Sequence, residues 1–299
     1  MSQEGGARIS VCIVCRNEAD RLPPCLESVR WADEVIVMDL DSEDDSAEVA
    51  TRHGARVLRR DPIPIVEPLR GELAAEATGD WILAMDPDER VPEGLAVALR
   101  RASLRDDIDM VEIPFMHHDF GYPPTHRLHR YDPKPRLYRR AVVEWPSEPN
   151  RLPSVGDGRV LRLPDSDEVA MIHDRNRSVV EALDRVVRYA PAEAQAMVDR
   201  GEVFTARRMF STLGAKVRKQ FIHGEPWHDG VPGIIRASVL VAFDFYVWAC
   251  FWERSGAHKT AADDAYVLRM AAPLRALRSL YRLLRAPLRL LGRRGAGGR

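Results

Sequence analysis

The 299-residue chain is 45% hydrophobic and 30% charged, with 44 basic and 45 acidic side chains and a formal net charge of −1. That balance supplies a core of ordinary size for one large or two smaller domains, and excludes extensive disorder, a collagen-like repeat and a polytopic membrane protein. The near-neutral total hides a division: residues 1–268 hold 35 basic and 45 acidic side chains, a charge of −10, whereas the last 31 residues carry nine arginines and no acidic side chain.

The opening MSQEGGARIS has no basic segment leading into an apolar run, so no signal peptide is expected. Short apolar runs rich in β-branched residues at 9–15, 35–38, 55–58 and 81–85 alternate with helical spacing at 22–30, 46–53, 69–78 and 93–102. Continuous apolar strands separated by helices predict an α/β fold, a mostly parallel sheet covered on both faces. Four cysteines, three of them within 14 residues, do not form the framework of a disulfide-rich secreted domain and fit the reducing cytoplasm. Cys12 and Cys15 sit three apart in a strand, which turns them to opposite faces, so both are read as core rather than as a zinc or redox pair.

From 114 to 164 the texture changes to Pro, His, Arg and aromatic residues, read as an irregular insertion whose His117, His118, His126 and His129 face an acceptor. Helical spacing then covers 178–200, 205–223, 231–253 and about 259–291. The expected layout is a catalytic core over 1–175, a helical region over 176–256 and a basic tail over 257–299. Residues 234–252 are long enough to span a bilayer, but Arg236 and the central Asp244 favour a buried or interfacial helix. In the tail, Arg275, Arg278, Arg282, Arg285 and Arg289 fall on one helical face, opposite Leu277, Leu280, Leu284, Leu288 and Leu291. A stripe of this kind suits an anionic membrane surface. The acidic body speaks against a nucleic-acid partner.

Three strand ends carry the chemistry. Strand 81–85 runs into three carboxylates, Asp86, Asp88 and Glu89; the hard oxygens of Asp86 and Asp88, two apart, suit Mg²⁺ or Mn²⁺ shared with phosphates, and the plain alternative is a solvated acidic turn with Asp88 or Glu89 favouring the next helix N-terminus. Strand 35–38 leads to Asp39, a ligand candidate, and to Ser42 and Asp44, read as helix caps. Strand 9–15 leads to Asn17 and Glu18, with Glu18 in reach of a nucleotide. A glycine-rich phosphate loop after the first strand is missing, which weakens kinase, P-loop and classical dinucleotide readings.

Together, ISVCIVCRNEADRLPPCLESV, VIVMDLDSEDDS and GDWILAMDPDERVP resemble the opening N-E strand, the D-x-x-S-x-D segment and the D-x-D strand of the family 2 glycosyltransferases of GT-A fold. The PRLYRR segment at 135–140 resembles the lipopolysaccharide-core glucosyltransferase type. The resemblance implies that Asp39 contacts the base, that Asp86 and Asp88 handle metal and diphosphate, and that Arg70 lies near the diphosphate. It implies His173 as a further metal or diphosphate contact, with a cap or core histidine as the alternative, and an inverting transfer with Glu148 as base and Glu144 second. Asp41 stands where the family usually has glycine, and Ser147-Glu148 where it has His-Glu. The implied partners are a nucleotide-sugar donor and a lipid-linked or lipopolysaccharide-type glycan acceptor, met by a cytoplasmic enzyme on the inner membrane face. A sugar nucleotidyltransferase and a catalytically degenerate membrane scaffold are the rivals; the first lacks its triphosphate loop, and the intact carboxylates oppose the second.

Overall fold

A computed structural model describes residues 6–63, 66–125, 130–146, 152–256, 259–273 and 278, Glu67 by its backbone alone. It divides into two compact units, one of residues 1–184 and 223–237, the other of residues 185–222 and 238–299. The first boundary falls a few residues beyond the expected 175, and the segment 223–237 returns to the first unit.

The first unit begins as the apolar periodicity requires. Strands β1 (Ile9–Cys15), β2 (Glu34–Asp39), β3 (Arg56–Arg59) and β4 (Trp81–Met85) alternate with helices α1 (Leu22–Glu27), α2 (Ser46–Arg52) and α3 (Glu67–Ala75). A two-residue strand β5 (Glu89–Arg90) and helix α4 (Glu93–Ser103) follow. Then come β6 (Met110–Ile113), β7 (Phe115–Asp119), β8 (Lys134–Arg139), β9 (Val160–Arg162) and β10 (Met171–Asn176). The described strands of the main sheet run in the order β3-β2-β1-β4-β8-β6-β9, and a smaller sheet runs β5-β10-β7. Strands β1 to β4 pair in parallel, β8 lies antiparallel to β4 and β6, and β10 pairs antiparallel with β5 and parallel with β7.

Both faces of β1 and β4 are buried. Ile9, Val11, Ile13 and Cys15 point into one apolar layer with α1 and α4, while Cys12 and Val14 point into another with Leu69 and Leu73 of α3. Each fully buried aliphatic side chain of this kind contributes about 1.5–3 kcal/mol. All four cysteines are free and buried, and burial pushes the Cys12 thiol up to about 12, so the core reading of the Cys12/Cys15 pair holds. Gly79, entering β4, permits a close approach to β1: a Cβ there would lie 2.7 Å from Ser10 Oγ and 2.9 Å from the Arg8 carbonyl oxygen.

The stretch 114–164 corrects the expectation of an irregular insertion. It supplies β7, β8 and β9, and β8 lies inside the main sheet between β4 and β6. Its sequence, KPRLYR, alternates half-buried and buried positions instead of forming an apolar run, which conceals the strand. Glu112 pairs with Pro135 and Val111 with Leu137, so the register passes over Arg136 in a bulge. A bulge leaves one residue unpaired and re-aims its side chain.

The chain continues through α5 (Val179–Asp199), α6 (Ala206–Val217), a π-helical turn Arg218–His223, a 3₁₀ turn Pro226–Asp229, α7 (Gly230–Arg254) and α8 (Ala261–Met270). The core of the second unit joins Ala190, Ala194 and Met197 to Val247, Trp248 and Phe251. The two charges that interrupt the apolar run 234–252 are both partnered. In the first unit Arg236 bonds Asp229 at 2.6 Å, and in the second Asp244 receives Lys216 Nζ at 2.9 Å. The arginine stripe of the tail lies outside the described residues, apart from an exposed, helical Arg278.

Candidate active site

Asp39 closes β2 and is 2% exposed. Ser42 donates its hydroxyl to Asp39 Oδ1 at 2.5 Å, and the Asn17 amide donates to Ser42 Oγ at 2.9 Å. Asn17 Oδ1 accepts from the Glu43 amide at 2.8 Å, Ser46 Oγ from the Glu18 amide at 2.8 Å, and Asp44 Oδ2 from the Ala19 amide at 3.0 Å. The loops after β1 and β2 are thereby joined into one wall. Asn17 and Asp41 sit in the left-handed region, φ +54° and +51°. Position 41, where the resembled family has glycine, thus demands a conformation that Asp tolerates better than bulkier residues. The cap reading of Ser42 is corrected: α2 is entered from Asp45 without a side-chain cap bond, while Ser42 holds Asp39. Asp44 does accept the first-turn amide of Ser46, at 3.0 Å.

Beyond β4, Asp86 is clasped by two guanidiniums. Arg70 of α3 pairs with its Oδ1, and Arg136, delivered by the β8 bulge, lies 3.2 Å from its Oδ2. Burial opposes the Asp86 charge, but Arg70, Arg136 and His173 overcome it and hold the carboxyl well below the usual carboxylate range. Glu89, fully buried, accepts the Asp86 amide at 3.0 Å and pairs with Arg136. Burial pushes the Glu89 carboxyl up to about 7 against the pull of Arg136.

Asp88 turns toward the small sheet. Pairing of β10 with β5 and β7 sets His173 opposite Glu89 on one side and His117 on the other. His173 Nε2 lies 3.1 Å from Asp88 Oδ2, and His173 Nδ1 lies 2.8 Å from His117 Nδ1. His117 Nε2 in turn lies 3.1 Å from Asp132 Oδ2. Burial lowers the His117 imidazole to about 3 in spite of Asp132, while the bond from His117, opposed by burial and aided by Lys134, lowers Asp132 to about 2. Arg21 stands 4.0 Å from Asp88 and 3.6 Å from Glu18 and also pairs with Glu181. Burial raises Glu18 to about 7, with Arg21 pulling the other way.

Among the described residues no three His, Cys, Asp or Glu side chains converge as a closed metal cage. Asp86 is turned to its arginines, whereas Asp88 and His173 offer one oxygen and one nitrogen side by side. Two protein donors fit a divalent cation that completes its shell with substrate phosphates and water.

Asp86, Asp88, Arg70 and His173 are therefore gathered into one cluster, Asn17 and Asp39 share the adjoining wall, and Glu18 meets Asp88 through Arg21. Glu148 lies outside the described residues, as do His126 and His129. Glu144 is exposed, exchanges backbone bonds with Ser154 at 2.8 and 3.1 Å, and makes none of the site contacts just given. His117 and His118 belong to a strand, not to an acceptor-facing loop. Sequence reasoning missed Arg136, Arg21 and the His117–Asp132 pair as members of the site, and it placed Glu89 among the strand-end carboxylates without its buried partner Arg136. The PRLYRR segment was the signal for Arg136.

The sequence profile described as "Glycosyl transferase family 2" matches residues 10–155. A TPR repeat-containing protein of Synechococcus elongatus is 34% identical over 148 residues, 44% of this chain and 34% of that protein. An uncharacterized glycosyltransferase of Rickettsia conorii is 24% identical over 263 residues, 79% of this chain and 86% of that protein. The chain thus spans about a third of the first relative and more than four-fifths of the second. A solved mannosyltransferase from Pyrobaculum calidifontis, in complex with GDP-Man and Mn²⁺, aligns over 94% of this chain and 84% of its own, at 15% identity and a TM-score of 0.45. Over residues 10–155, just under half of its length, the chain is thus similar to the family 2 glycosyltransferases, and its mostly parallel sheet with helices is that of the GT-A fold.

Proposed function

We propose that the chain transfers a sugar from a nucleoside-diphosphate donor to a hydroxyl of a lipid-linked or lipopolysaccharide-type glycan, with inversion at the sugar carbon. The observation that carries this reading is the Asp88–His173 pair beside Arg70 and Arg136, at the C-terminal end of the middle strand of a mostly parallel sheet. That end is where open α/β sheets bind their ligands.

Asn17, Glu18 and Asp39 hold the nucleoside against the wall formed by the first two strand ends. Breaking the bond between sugar and diphosphate builds negative charge on the leaving phosphate, and Arg70 and Arg136, pre-positioned by Asp86, face that charge with no reorganisation at the moment of reaction. Asp88 and His173 would hold a divalent cation, Mg²⁺ or Mn²⁺, which would supply Lewis-acid stabilisation of the developing charge. Glu148 takes the proton of the acceptor hydroxyl as its oxygen attacks the sugar carbon.

The acceptor class and site of action rest on the basic tail, whose arginine stripe suits the anionic inner face of a cell membrane, with the enzyme peripheral and cytoplasmic. By length and composition the helical segment Pro226–Arg254 could cross a membrane. The partnering of Arg236 and Asp244 within the protein supports a buried or interfacial role instead, since unpaired charges in hydrocarbon are costly.

The test is release of nucleoside diphosphate from a panel of nucleotide sugars with Mg²⁺ or Mn²⁺. Metal-dependent turnover that falls about 10³-fold in Asp88→Ala is expected; turnover retained by that variant contradicts the assignment.

A further inference from the structure

Residues 203–224 hold five basic side chains and no acidic one. The stretch contains α6 and the π-helical turn that continues it, both in the second unit. Its inner face is satisfied: Met209 and Leu213 pack on the core of that unit, Gln220 is buried, and Lys216 Nζ reaches Asp244 at 2.9 Å.

The outer face is not. By helical spacing Arg207 and Arg218 fall on one line, with Lys219 on one flank and Phe210 and Val217 on the other. All five are exposed, and Ile222 of the π-helical turn is 61% exposed. Arg208 pairs with Glu202 at 2.7 Å, whereas Arg207, Arg218 and Lys219 meet no acidic side chain among the described residues. Phe210 leans on Tyr266 of α8, ring centroids 6.2 Å apart, and the surface passes to the last turn of that helix. There Val267, Leu268, Arg269 and Met270 are all exposed, and α8 buries none of its side chains.

Charge and apolarity together select what covers such a face. A second copy docked face to face, or the chain's own end, would set cation against cation: beyond Met270 the sequence has eight arginines and no acidic residue. A nucleic acid would answer the cations but leave Val217, Ile222 and Met270 in water, since a phosphate backbone offers them nothing. An anionic bilayer satisfies both, taking apolar side chains into the acyl boundary and cations among the headgroup phosphates.

We propose that the outer face of α6, its π-helical continuation and the last turn of α8 form an anionic-lipid surface, distinct in its residues from the arginine stripe expected in the tail. The proposal rests on the reading of the chain as a peripheral membrane enzyme, and adds that the folded second unit itself touches lipid. Each cation near an anionic bilayer is worth about fivefold in affinity, so Arg207, Arg218 and Lys219 together supply about 10²-fold at low salt.

The experiment is sedimentation of the full chain with vesicles of phosphatidylglycerol and phosphatidylcholine, and of phosphatidylcholine alone. Substituting Arg207→Gln, Arg218→Gln and Lys219→Gln together is expected to lower partition onto the anionic vesicles about 10²-fold at low salt, with the urea midpoint unchanged because these side chains are exposed. Unchanged partition overturns the proposal; if that variant instead loses binding to a single-stranded RNA oligonucleotide, the face belongs to nucleic acid. Contact is read separately from a bimane on Ile222→Cys, the four natural cysteines being buried. Doxyl-labelled lipid in the anionic vesicles is expected to quench it. An unquenched label on vesicle-bound protein overturns the proposal and leaves the tail as the anchor. A wild type that does not bind anionic vesicles overturns both.

Discussion

The two sides of the candidate site hold their carboxylates by different means. On the parallel side, Asp39 is fixed by the hydroxyl and the backbone amide of Ser42, neutral donors that set position. Beyond β4, Asp86 is fixed by two guanidiniums and Asp88 meets an imidazole of the small sheet, partners whose charges or lone pairs answer to a ligand. The first arrangement suits recognition of an uncharged group such as a base. The second suits a site where charge develops and a cation comes and goes.

Substitutions on the second side should therefore alter turnover far more than those on the first. After the loss expected for Asp88→Ala, the next largest effect is at Glu148: Glu148→Gln lowers turnover about 10²-fold with donor affinity unchanged, checked by steady-state rates against nucleotide titration. Near-normal turnover moves the base elsewhere. A middle effect is expected away from chemistry, where Asp229 receives Thr125 and the buried Arg236. Burial opposes the Asp229 charge, but the bonds from Thr125 and Arg236 hold its carboxyl at about 2. Its contribution to stability is thus present above the ordinary carboxylate range and fades as pH falls toward 2. Asp229→Asn strands Arg236 and costs about 3 kcal/mol in urea unfolding at neutral pH. A wild-type-like midpoint argues against that pair as an anchor. The smallest effect is at Ser42: Ser42→Ala removes one neutral donor from Asp39 and weakens nucleoside binding by about 1 kcal/mol with no change in pH profile. A shifted profile breaks the distinction between the two walls.

The same division explains what the sequence revealed. Strands 9–15 and 81–85 are read to the residue because both their faces are covered, so the run of apolar residues is itself the strand. The carboxylates at their ends follow from the topology, and Asp39, Asp86 and Asp88 need no tertiary information beyond it. The other wall is written differently. β7 carries FMHHD and β8 carries KPRLYR, with polar residues on the very faces that build the site. Arg136 reaches Asp86 through a register irregularity, and His117 meets His173 through pairing of distant strands. Neither has a local periodicity to betray it. Asp41 is the intermediate case: it departs from the family's glycine in type while keeping the left-handed backbone that the position requires.

Asp88 with His173 as the metal pair of a nucleotide-sugar enzyme is the central claim, and calorimetric titration of UDP and GDP into the wild type and Asp88→Ala, each with and without Mn²⁺, tests it most directly. The account predicts that Mn²⁺ tightens nucleotide binding to the wild type and that Asp88→Ala retains metal-free binding but loses the increment. An equal Mn²⁺ increment in both proteins would contradict it.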